Sequence, residues 1–137
     1  MKKFILSFGV VMMAVFTTSV FAQAEVKMNG PEISIDKEVH DYGTIANGAD
    51  GVCYFTITNT GSEPLVITKA KGSCGCTVPD WPKEAIAPGK SAKMSVKYDT
   101  KREGKINKSV TITSNATNAP TKVVRIKGEV LAPGVGN

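Results

Sequence analysis

Ser91-Ala92-Lys93-Met94-Ser95-Val96-Lys97-Tyr98 alternates polar and apolar side chains without a break. In an extended chain successive side chains point to opposite faces. Ala92, Met94, Val96 and Tyr98 therefore share one face, and Ser91, Lys93, Ser95 and Lys97 share the other. The stretch reads as a strand with one side in a core and the other in water.

The same period of two recurs on both sides of it. Upstream, Cys53, Phe55 and Ile57 form an inward row, with Tyr54, Thr56 and Thr58 opposite. Downstream, Val110 with Ile112 and then Val124, Ile126 and Val130 continue the core, while Arg125, Lys127 and Glu129 face outward. Gly128 interrupts the last inner row and predicts a bulge or a close backbone approach. The alternation stops at Asn47-Gly48, Asn59 to Pro64, Pro88-Gly89 and Ser114 to Pro120, where the residues preset a turn or tolerate positive φ. No helical stripe of useful length appears. From Ile33 onward the count is about seven strands, more than one sheet can bury by a single face. The predicted fold is all-β, an immunoglobulin-like β-sandwich of about seven strands in two antiparallel sheets.

The N-terminus has a different character. Lys2 and Lys3 precede an apolar run from Phe4 to Val20, and Ala22-Gln23-Ala24 supplies a small-residue cleavage site, the three-part layout of a secretory signal. Cleavage after Ala24 is expected. An uncleaved membrane anchor is the competing reading, but the run is short for a bilayer and holds Ser7, Gly9, Thr17, Thr18 and Ser19. A lipid anchor would need a cysteine at the end of this segment, and the first is Cys53. Removing 24 of 137 residues leaves 113, enough for one domain. The expected division is a cleaved signal peptide over 1–24, the sandwich over 25–131 and a flexible tail over 132–137. Loss of Lys2 and Lys3 takes the basic count from 17 to 15 against 12 acidic residues, a net charge of +3. So modest an excess gives no sign of nucleic acid. The expected location is extracytoplasmic, periplasmic or secreted, with no stable membrane insertion after cleavage.

Five stretches together resemble a bacterial family of secreted Ig-like domains of unknown function. They are His40-Asp41-Tyr42-Gly43-Thr44-Ile45; Thr58-Asn59-Thr60-Gly61 with Pro64-Leu65-Val66-Ile67; Ser73-Cys74-Gly75-Cys76-Thr77; Ile86-Ala87-Pro88-Gly89; and Ile126-Lys127-Gly128-Glu129-Val130. The Cys-Gly-Cys unit is the specific marker among them. That family is similar in layout to the ASH, Hydin and major-sperm-protein sandwiches, which serve as interaction and scaffold modules. The resemblance implies no catalytic residue. Cys53 lies outside its pattern, so it implies no bridge to that cysteine.

Three cysteines in an oxidising compartment permit one bond with one thiol left over, or none. Cys74 with Cys76 closes a tiny loop, worth about 1.6 kcal/mol in the chain-entropy model, through a sharp turn that Gly75 permits. Cys53 with either of the others closes a much longer loop, worth roughly 3.4 kcal/mol. The strand holding Cys53 and the one after Pro64 are expected to run antiparallel as neighbours, although Cys74 then overshoots Cys53 by roughly 10 Å. The connectivity stays open among Cys53, Cys74 and Cys76. One reading makes Cys53 a buried apolar side chain and Cys-Gly-Cys a loop-shaping unit. The sharper one makes Cys74 and Cys76 a redox pair or a soft-metal site for copper or zinc. A closed zinc site wants four ligands, and the three cysteines with His40 would supply them only if that distant histidine came near.

Nucleophilic catalysis would need a base beside Ser or Cys, and His40 is the only histidine. It is expected to be a half-exposed strand residue beside Asp41, with Tyr42 packed inward. Glu63 and Asp80 lie in turns, with no cleft for two-carboxylate chemistry. Lys93, Lys97, Lys105, Lys108, Lys122, Arg125 and Lys127 are expected to face outward and be solvated. Their rows contain no aromatic residue of the kind that nucleic acid would call for. Trp81, between Pro79 and Pro82, is expected to cap one end of the sandwich or to stand exposed as a contact. The resulting expectation is a non-catalytic extracytoplasmic binding or scaffolding module, with Cys74, Gly75, Cys76 and Trp81 as candidate binding residues. Its partner would be another protein or a cell-envelope component, with no cofactor, no assigned metal ligands and no nucleic acid. The alternative is a thiol-redox or soft-metal protein centred on the Cys-Gly-Cys loop.

Overall fold

The computed structural model describes residues 29–135, so the expected signal segment and the last two residues of the expected tail lie outside the described residues. Eight strands follow in order: β1 (Ile33–Ile35), β2 (Val39–Ile45), β3 (Val52–Asn59), β4 (Ile67–Gly72), β5 (Thr77–Asp80), β6 (Ser91–Tyr98), β7 (Gly104–Ser114) and β8 (Thr121–Val130). They form two four-stranded sheets, ordered β1-β3-β6-β5 and β2-β8-β7-β4. No helix among the described residues is long and apolar enough to cross a membrane.

The strand with perfect alternation, β6, lies inside the first sheet, flanked by β3 and β5. Its inner row meets that of β3 residue for residue: Val96 opposite Cys53, Met94 opposite Phe55 and Ala92 opposite Ile57. From the other sheet Val110, Ile112, Val124 and Ile126 close the core, and all four are fully buried. The expected inward rows are the buried rows, because alternation sets the buried face whichever strand lies alongside.

The strand count rises to eight because β1 and β5 are too short to show a period, and β5 carries Pro79. One pairing departs from the expected antiparallel sheets: β2 runs parallel to β8. The chain leaves the first sheet after Ile35 and enters the second at Val39 without reversing. The Asp36 N–H donates to the Thr56 carbonyl (3.1 Å), while the Glu38 carbonyl accepts from the Arg125 N–H (2.8 Å), so the switch is pinned on both sides. The register of β2 on β8 slips between Asp41 and Thr44. Gly128 lies there with φ +147°, and a Cβ on it would come within 2.7 Å of the Gly43 carbonyl oxygen. The close approach expected at Gly128 is therefore the contact that seats β2.

A second correction concerns β4. It is not the antiparallel neighbour of β3, because both edges of β3 are occupied, by β1 and β6. The chain instead crosses to the second sheet. Leu65 pairs with Ile86 on the way, and β4 joins the outer edge of β7. The ladder that would have brought Cys53 and Cys74 to adjacent strands does not exist.

The expected basic rows are also redistributed. Lys93 and Lys97 belong to the first sheet, and Lys105, Arg125 and Lys127 to the outside of the second. Lys108 stands opposite buried Ile126, and Lys122 opposite buried Ile112, so both have inward parity and are half-buried.

Candidate functional site

Cys74, Gly75 and Cys76 make the crossover from β4, at the edge of one sheet, to β5, at the edge of the other. At the start of the crossover a Cβ on Gly72 would collide with the Thr77 carbonyl, so the two edges approach backbone to backbone. Ser73 then fastens to β7 twice. Its N–H donates to the Ser109 carbonyl (2.8 Å), and its Oγ accepts from the Ser109 N–H (3.2 Å). The Thr77 N–H donates to the Cys74 carbonyl (3.2 Å), and the Cys76 carbonyl accepts from the Asp99 N–H just beyond β6 (2.9 Å). The loop is thus tied to both sheets by backbone bonds.

Within it the Sγ atoms of Cys74 and Cys76 face each other within bonding reach, with their Cα atoms 5.3 Å apart. The buried Thr77 hydroxyl sits beside both sulfurs, 3.9 Å from Cys74 and 3.7 Å from Cys76. Cys74 is half-buried, Gly75 exposed and Cys76 buried. Open depressions lie on either side. One, of about 790 Å³, is bounded by Asp50, Gly51, Cys76, Val78, Tyr98 and Lys101. The other, of about 420 Å³, is bounded by Lys71, Ser73, Cys74, Thr77 and Pro79. Trp81 follows β5, half-buried against the core, with the Lys83 Nζ 3.0 Å above its ring centre.

Cys53 is elsewhere, buried in the middle layer beneath Tyr42. Burial pushes its thiol above the ordinary range, while its contact with the Tyr42 hydroxyl and the charge of Lys37 act in the opposite direction. Tyr42 donates its hydroxyl to the Gly51 carbonyl (2.6 Å), and burial followed by its contact with Cys53 raises its own pKa strongly. His40 is half-buried on β2, with Nδ1 3.2 Å from the Lys37 Nζ and its ring edge-on to Tyr42. Burial and then Lys37 lower its pKa, against the pull of Asp41. Among the described residues no group of three or more His, Cys, Asp or Glu side chains is gathered as a metal would require. His40 and the three cysteines therefore do not form the four-ligand set considered from sequence.

Two features escaped the sequence reading. Asn59 appeared only as a turn residue, yet its side chain is fully buried and organises the Asn59–Pro64 turn. An inward-parity polar residue at the end of an apolar row was the signal. Tyr54 was placed outward on β3, but its setting was invisible strand by strand: it stands opposite Ser95, with the Lys93 Nζ 5.8 Å from its ring. The outer face of the first sheet therefore does interleave an aromatic ring with lysines.

Residues 33–130 match the family described as protein of unknown function DUF1573. The chain belongs to that family. A protein of unknown function from Porphyromonas gingivalis W83 superimposes with a TM-score of 0.66 at 19% identity, over 77% of this chain and 50% of that one. The DUF1573 chain thus spans half the length of that relative. The human CEP192 ASH/PapD-like domain 7 gives a TM-score of 0.57 at 11% identity, covering 73% of this chain and 85% of that one. The periplasmic chaperone SfaE gives 0.55 at 8% identity, covering 76% and 60%. At these identities the likeness is one of fold: the domain is an Ig-like sandwich of the ASH and PapD type. No curated protein matches the DUF1573 chain in sequence.

Proposed function

We propose that this domain is a non-catalytic binding module working outside the cytoplasm, and that it takes a protein partner along β5 and the Cys74–Trp81 loop end. The observation that carries the reading is the edge position of β5, with Val78 58% exposed and the rigid Cys-Gly-Cys crossover immediately before it. Pro79 has no N–H and the Thr77 N–H is used by the Cys74 carbonyl, so the contact rests on the exposed Val78 side chain at this edge and not on an added strand. The segment 1–24 supports export, and Cys74 and Cys76 form a permanent disulfide that holds the crossover rather than reacting.

The test is a photo-crosslinking residue at position 78 in the exported protein, with position 123, exposed on the other sheet, as the control. A discrete crosslinked protein from position 78 alone supports the reading. Equal crosslinking from both positions, or intact mass showing residues 1–24 retained, contradicts it. Replacing Cys74 and Cys76 by Ser leaves the crosslink largely intact; complete loss in a folded variant also contradicts it.

A second reading, a thiol-redox or soft-metal protein, is favoured by the facing sulfurs of Cys74 and Cys76 beside open depressions. Mass spectrometry after alkylation with and without reductant, with copper and zinc analysis, separates the two. A bonded, metal-free pair that does not exchange in thiol buffer ends the second reading.

A further inference from the structure

The outer face of the second sheet carries a groove of about 420 Å³ along β4 and β7, lined by Lys69, Lys71, Ser73, Ser109, Thr111 and Thr113 with Gly72. Cross-strand register explains its composition. Lys69 stands opposite Thr113 and Lys71 opposite Thr111, and Ser109 has Arg125 on its other side in β8. Each cation is thus set beside a hydroxyl, in rows repeated every second residue along the strands. The carboxylates of this face lie away from the groove: Asp41 is on β2, paired with Lys127 at 3.8 Å, and Glu129 is opposite Lys105. No acidic side chain lines the groove, and no aliphatic or aromatic one does either.

We propose that this groove binds an acidic polysaccharide, the ammonium groups of Lys69 and Lys71 pairing with its anionic groups and the Ser and Thr hydroxyls bonding its sugar hydroxyls. Charge complementarity selects an anion. The lining selects among anions: nothing in it stacks on a nucleic-acid base, inserts into a membrane or forms a pocket for an apolar peptide side chain. A sugar chain needs only alternating charge and hydroxyl contacts along a shallow track. Because Ser73 reaches the groove from the residue before Cys74 and is bonded twice to Ser109, the Cys-Gly-Cys crossover also holds one end of it. This site is on the sheet opposite β5 and does not depend on the edge-strand reading.

Calorimetric titration of the purified chain with polygalacturonate, neutral dextran, polyglutamate and anionic phospholipid vesicles tests it. The expected result is binding of polygalacturonate at physiological salt, weakened as salt rises, with no binding of dextran. K69A/K71A lowers that affinity about tenfold or more, while K105A/K127A, which removes the same charge from the same sheet, leaves it within twofold. Thr111→Val keeps every charge and weakens binding about threefold. Equal losses in the two lysine pairs would reduce the effect to net charge and overturn the proposal. Tighter binding of polyglutamate or vesicles than of polygalacturonate would overturn it as well, as would no binding of polygalacturonate.

Discussion

A buried carboxamide is tolerated only when its donors and acceptor are used. In Asn59, Nδ2 donates to the Glu63 carbonyl (2.7 Å) and the Ile86 carbonyl (2.8 Å), while Oδ1 accepts from the Gly61 N–H (2.9 Å). Asn59→Leu takes these partners from the Glu63 carbonyl and the Gly61 N–H, while the Ile86 carbonyl keeps the Leu65 N–H, and is expected to cost about 2–3 kcal/mol, read as a lower urea midpoint at unchanged slope. Tyr42 and Cys53 make a second prediction at this scale. Both have pKa values raised by burial in the folded state, so the unfolded chain gives up these protons first. Their stabilising contribution is full below the unfolded cysteine value of about 8.5 and is lost as pH climbs toward the folded values. Thermal melts from pH 7 to 11 should show the decline, and Y42F/C53A should flatten it. His40 has the opposite sign: its lowered pKa removes stability as pH falls below about 6.5.

At the scale of the element, β2 is an edge strand held by one neighbour through a bulge. It pairs only with β8, in parallel, and its bulge rests on Gly128. Gly128→Ala puts a Cβ at a φ that L side chains avoid and within contact of Gly43 and Tyr42, and is expected to cost about 2–3 kcal/mol. Hydrogen exchange should show that loss concentrated in Val39–Ile45, since β7 and β8 keep each other's ladder; uniform acceleration over all strands would contradict this. The outward parity of Thr111 and Thr113 follows from the inward row of Val110 and Ile112, whereas Lys69 and Lys71 face outward only because a bulge after buried Ile67 exchanges the faces of β4. Their meeting in one groove was not legible in the alternation, because it depends on β4 lying against β7 rather than β3.

For the whole molecule, strands distant in the chain must pair before the core closes: β2 with β8, β4 with β7 and β3 with β6. Closing such loops costs entropy before any contact repays it. Folding is therefore expected on the millisecond-to-second scale of β-sandwiches, and stopped-flow fluorescence of Trp81 checks it. Complete recovery of the signal within microseconds would be incompatible with this topology. The same connectivity explains why Cys53 stays apart from the Cys74–Cys76 crossover. One is in the middle layer under Tyr42, and the others are at the opposite edges where the chain changes sheets.

The chain's own residues determined which side chains go inside, since a period of two assigns each residue a face regardless of its neighbours. They also determined where the main turns fall, because Gly, Pro and Asn bias local dihedrals. Only the tertiary structure decided which strands lie side by side, that β2 runs parallel, and that a bulge after Ile67 turns Lys69 and Lys71 outward. Backbone hydrogen bonds are alike for every residue, so pairing follows from how two twisted sheets share one core, a property of the assembled chain and of no single stretch.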